Sequence, residues 1–104
     1  MDTATMILLT AFALADFCAD RGEAFQAPEI AAMKDKIASS LNEIGVPKAT
    51  RDTAWQAAQK GLTASGMDNL SGPDLARECS KHRQAVATLV PGTLSKDVGK
   101  KNPF

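Results

Sequence analysis

Apolar residues recur along this chain at helical spacing. Ile30, Met33, Ile37, Leu41 and Ile44 fall at steps of three and four, while Lys34, Asp35, Lys36, Ser39, Ser40 and Glu43 occupy the positions between. That is the pattern of a helix with one face toward a core. Pro28 and Glu29 suit its first turn and Gly45 and Pro47 stop it, so the spacing predicts a helix over residues 28–44. A second stripe, Leu75, Cys79, His82, Val86 and then Leu89 or Val90, runs until Pro91-Gly92 breaks it. Ser71 stands as its N-cap, Asp74 three residues on completes an acidic variant of the capping box, and Leu70 with Leu75 can staple the entry.

Two further helices are expected. Residues 4–21 form a strongly apolar segment, opened by Thr3 as N-cap and closed by Gly22. Ile7, Ala11, Leu14 and Cys18 share one stripe, and Phe12 and Phe17 lie to either side, which predicts a helix buried on nearly all faces in the middle of a bundle. Residues 50–65 form the weakest of the four, with Trp55, Ala58 and Leu62 inward and Gly61 costing about 1 kcal/mol relative to alanine. Its small residues imply close approach of a neighbour. After Gly92 comes a basic tail, so the chain divides into one helical-bundle domain at 1–92 and a tail at 93–104.

The first segment also invites a targeting interpretation, because its apolar run ends in the small-x-small pattern Ala13-Leu14-Ala15 before Asp16. No Lys or Arg precedes the run and Asp2 stands where a positive charge belongs, so it reads as a structural helix with Met1 an added start. It is short for a bilayer span, and membrane insertion is not expected.

Composition sharpens the fold class. The chain has 104 residues, 18 of them alanine, and no tyrosine, a usage that favours helix over strand. Twelve basic and twelve acidic side chains cancel, so no global field drives binding to nucleic acid. The charges are uneven, however: residues 1–46 carry seven acids against three bases, and residues 47–104 five against nine. Oppositely charged halves attract when they pack, or the basic half meets an acidic partner.

Cys18 and Cys79 are the only cysteines, one near the end of the first helix and the other in the second turn of the last. A disulfide between them would staple those helices. Sixty residues lie between the two, and closing such a loop contributes roughly 4 kcal/mol on the chain-entropy estimate. It also implies folding in an oxidising compartment, periplasmic or secreted. His82, the single histidine, lies one turn beyond Cys79, yet the spacing matches no zinc module and a disulfide removes the thiols from chemistry. No phosphate-binding glycine loop, carboxylate pair or Cys-x-x-Cys is present.

The expectation is therefore an all-α, compact bundle of four main helices with one disulfide between the first and last. Neither enzymatic activity, metal nor cofactor is expected. The leading function is a small exported protein that binds another protein, as an inhibitor, an immunity protein or an envelope accessory factor; self-association into a homodimer is a further option. Candidate contact residues are Met67, Asp68 and Asn69 in the loop before the last helix, Arg77, Lys81 and Arg83 on that helix, and Phe104 in the tail. One alternative is a periplasmic stress chaperone, since one disulfide across a helical body is also the coarse plan of small acid-stress chaperones, though no motif marks that family here. Another is a cytosolic interaction module with free thiols.

Overall fold

The structure, a computed structural model, describes residues 3–94. Four helices carry the fold: α1 (Thr3–Asp20), α2 (Ala27–Ile44), α3 (Lys48–Ala64) and α4 (Gly72–Leu89), with a single 3-10 turn (Met67–Asn69) between the last two. The expected all-α bundle is what forms.

Local chemistry sets the ends. Gly22 closes α1 with φ +71°, and Gly45 closes α2 with φ +81°, its N–H and that of Val46 both donating to Leu41 O. These are left-handed caps that a side chain would strain. Ser71 precedes α4 as expected but makes no side-chain cap hydrogen bond. Reciprocal capping appears instead at α2, where Glu29 Oε1 accepts from the Gln26 N–H at 3.0 Å. Thr3 already lies inside α1 rather than capping it.

Helix α1 is the hub. Helices α2, α3 and α4 each pack on it, while no other pair of α-helices makes a comparable approach among the described residues. The chain runs up, down, up, down. Cys18, at the end of α1, meets Cys79 near the start of α4, whereas Leu9, early in α1, shares a cluster with Val90 just after α4. The predicted disulfide is formed, with a Cα–Cα distance of 5.8 Å.

Two apolar clusters lie along the hub. One gathers Ala11, Ala15, Cys18, Phe25, Met33, Leu75, Cys79 and Val86; the other gathers Leu9, Ile37, Leu41, Val46, Ala54 and Val90. Alanines at 11, 13 and 15 are buried, and this small surface lets the neighbours come close. Burial of α1 is nonetheless incomplete. Ile7 is 45% exposed, against the expectation of a helix covered nearly all round, because three neighbours do not close a ring.

By length and composition α1 is also apolar enough to cross a membrane, a test that core helices and signal sequences pass as well. Thr93 is buried and its hydroxyl donates to Val90 O at 2.8 Å, and Leu94 packs on the first cluster, so the body continues two residues past the expected boundary at Gly92. The remainder of the basic tail lies outside the described residues.

Candidate partner-binding face

Three helices on one hub leave openings. Between α4 and α3, α1 turns Ile7, Thr10 and Leu14 outward into two adjoining depressions. One, about 530 Å³, is lined by Leu14, Met67 and Leu70 with Glu78 and Lys81 at its edge; the other, about 330 Å³, lies among Met6, Ile7, Ala85 and Leu89. His82 lines both.

Rotation of α4 explains the apolar content. Of the two residues competing to end its stripe, Val90 turns in at 3% exposed and Leu89 turns out at 43%, beside Ile7. Two large aliphatic side chains thus meet solvent together. Isolated exposed apolar residues need no explanation, but an adjoining pair next to shallow depressions is the arrangement of a contact surface.

His82 ties this face to the hub. Its Nε2 lies 2.9 Å from Ala11 O, and since a carbonyl only accepts, Nε2 carries the proton and donates. Its ring also sits 6.0 Å from that of Phe25, tilted by 54°. Burial pushes the imidazole below its ordinary 6.5, opposed by the raising influence of the Ala11 hydrogen bond. His82 is therefore neutral at pH 7.

The candidate contact residues separate into three groups. Met67 and Lys81 line the larger depression, and Asp68 and Asn69 are exposed on the turn beside it. Arg77 is exposed and reaches Asp74 at 3.3 Å, and Lys81 reaches Glu78 at 3.4 Å, both pairs one turn apart along α4. Such surface pairs contribute little. Phe104 lies outside the described residues.

Arg83 requires correction. It is not a surface cation: its side chain is 15% exposed and forks onto Glu29, 4% exposed, with Nη2 to Oε2 at 2.7 Å and Nη1 to Oε1 at 2.9 Å. Nη1 also donates to Ala24 O at 2.6 Å, and the guanidinium lies 5.5 Å from the Phe25 ring. Ala24, with φ +61°, presents that carbonyl from a left-handed conformation that alanine adopts only at some cost. The fork joins α4 to the start of α2, and it does so on the side of α1 away from α3.

A signal for this pair was present in the sequence. Arg83 falls four residues after Cys79 and three before Val86, and Glu29 falls four before Met33; each is a charge on a buried stripe. Charges in such positions are retained only when paired. The apolar face gave no equivalent signal, because which of Leu89 and Val90 turns inward depends on how α4 is rotated against α1.

Among the described residues, no group of three or more metal-ligating side chains comes together. Comparison with family models, with characterised proteins and with solved structures finds no match for this chain.

Proposed function

We propose that this chain is a small exported protein that acts by binding another protein through the α1/α4 face. The observation that carries this reading is the pair Ile7 and Leu89, 45% and 43% exposed, lining one depression that shares Leu14 and His82 with a second lined by Glu78 and Lys81. An apolar centre with a charged rim is the usual anatomy of a protein interface. Support for export is coarser: the Cys18–Cys79 disulfide belongs to an oxidising compartment, and an apolar N-terminal helix fits an exported chain. Within this reading an inhibitor, an immunity protein and an envelope accessory factor share the same surface requirement.

The test is affinity capture with the oxidised protein and with an Ile7→Glu/Leu89→Glu variant, compared side by side. A stoichiometric partner held by the parent and lost by the variant, with both equally folded, is the expected result. The reading is overturned if the two capture the same set, or if the parent takes up a broad range of unfolded clients only in acid, which is chaperone behaviour.

A further inference from the structure

The opening on the other side of α3 is of a different kind. It lies between α2 and α3, with Leu9 and Phe12 of α1 as its floor, and encloses about 520 Å³. That volume falls in the range of small-molecule sites, roughly 300–1,000 Å³. Ile37 and Leu41 form one wall; Trp55 stands opposite, its ring centroid 5.9 Å from that of Phe12. The lining is thus mostly apolar, with charge confined to Asp16, Lys34 and Arg51.

Those charges are placed unequally. Arg51 is half-buried and held: Nε donates to Val46 O at 2.9 Å and Nη2 to Asn42 Oδ1 at 2.8 Å. Both contacts fix the guanidinium near the end of α2, close to Leu41 and Val46. Its Nη1 has no hydrogen-bond partner among the described residues, so a pre-oriented donor remains at that end. At the opposite end, one turn of α1 past Phe12, stands Asp16. There burial and the like charge of Asp20 disfavour the ionised carboxyl, with Lys34 offsetting them in part. An anionic head gains the held Arg51 donor at one end, whereas at the other the acids Asp16 and Asp20 offset the cation Lys34, which favours one orientation.

We propose that this groove binds a single-chain fatty carboxylate, its alkyl chain along Leu9, Phe12, Ile37 and Trp55 and its head accepting from Arg51 Nη1. Charge complementarity selects the ligand class. A neutral alcohol would gain the apolar contacts but not the charge-assisted hydrogen bond, and a cationic amphiphile would meet Arg51 with like charge. The site is separate from the α1/α4 face and stands or falls independently of it.

Trp55 reports on the groove directly, since the chain has one tryptophan and no tyrosine. Decanoate, octanoate, decanol and decyltrimethylammonium are titrated below their aggregation concentrations, with equilibrium dialysis giving the stoichiometry. Decanoate is expected to shift Trp55 emission saturably at one per chain. Octanoate, shorter by two buried methylenes, should bind about tenfold more weakly. Decanol should also be about tenfold weaker than decanoate, the scale of one charge-assisted contact, and the cation should not bind saturably. Arg51→Gln should remove the preference for decanoate over decanol, while Ala38→Phe, which fills the groove and leaves Arg51 in place, should remove binding of both. Equal affinity for decanol and decanoate in the parent, unchanged decanoate binding in Ala38→Phe, or no saturable response from the folded oxidised parent each overturns the proposal.

Discussion

The two sides of helix α1 are built differently. Toward α2 and α4 the hub is locked by the Cys18–Cys79 disulfide, by the buried fork of Arg83 on Glu29, and by the well-filled cluster around Met33, Phe25 and Val86. Toward α3 it presents Leu9 and Phe12, and α3 answers with Ala54, Trp55, Ala58 and Leu62; one opening lies on its α2 side and another beyond its C-terminal end at Ser65. Covalent and ionic ties gather where the packing is closed, and the openings gather around α3, which carries no disulfide or ion pair among the described residues and is joined to the end of α2 only by the Arg51 hydrogen bonds. Stability and binding are therefore assigned to different parts of one small bundle.

The largest effect should come from the fork. Arg83→Met takes the guanidinium away from the 4%-exposed Glu29 carboxylate, and removal of one member of a buried pair costs about 3–5 kcal/mol. Denaturant unfolding should show this as a fall in the midpoint. The double change Glu29→Leu/Arg83→Met should lose much less than the sum of the singles, because no buried charge is left over. If Arg83→Met costs under about 1 kcal/mol, a figure typical of exposed pairs, the closed side is not held as described.

Replacing both cysteines by serine should come next, at about 2–4 kcal/mol, acting largely through the unfolded chain. On the α3 side, Ala54→Leu should cost about 1–3 kcal/mol by overpacking, since Ala54 is fully buried against the hub. The comparison makes a sharper demand of this variant. Its loss should appear as faster amide exchange confined to α3, leaving α2 and α4 unchanged.

The helices, their order and the disulfide were legible in the sequence because each rests on local signals: a 3.6-residue period, a glycine or proline stop, two cysteines with no other partner. Burial of α1 on nearly all faces was expected, and the face at Ile7 is open. Ile7 shows why: hydrophobicity on every face of a helix says that the faces are apolar, not how many neighbours arrive to cover them. Arg83 was read as a surface cation because its partner lies 54 positions away on another helix, and a stripe reports what faces inward without reporting what it meets. Met67 and Lys81 line one depression because the turn at Met67–Asn69 leads directly into α4. The groove under Trp55 was out of reach, as it depends on α2 and α3 standing apart on the hub.

The smallest effects concern pH, and the two groups that shift act in opposite directions. His82 is held below its ordinary 6.5 by burial, so as pH falls through that value the unfolded chain takes up a proton that the folded chain refuses. Stability should decline on acidification below about 6.5, and His82→Gln should flatten that limb. Asp16 is held above its ordinary 3.8, chiefly by burial and then by Asp20, so the folded chain binds its proton more tightly than the unfolded one. Its ionised form weakens the fold at neutral pH, and that cost is relieved as pH falls through the folded value toward 3.8. Asp16→Asn should accordingly be somewhat more stable than the parent at pH 7, with the difference shrinking in acid. Thermal melts of both variants across this range check the two signs.

Native-state hydrogen exchange on the oxidised protein tests most directly whether α3 is the detachable helix. Amides between Ala54 and Leu62 should exchange through a partial opening at lower free energy than those of α2 around Met33 and of α4 around Val86, which should open only with global unfolding. Exchange of all three helices at one common free energy, that of global unfolding, would contradict the division into a locked side and an open one.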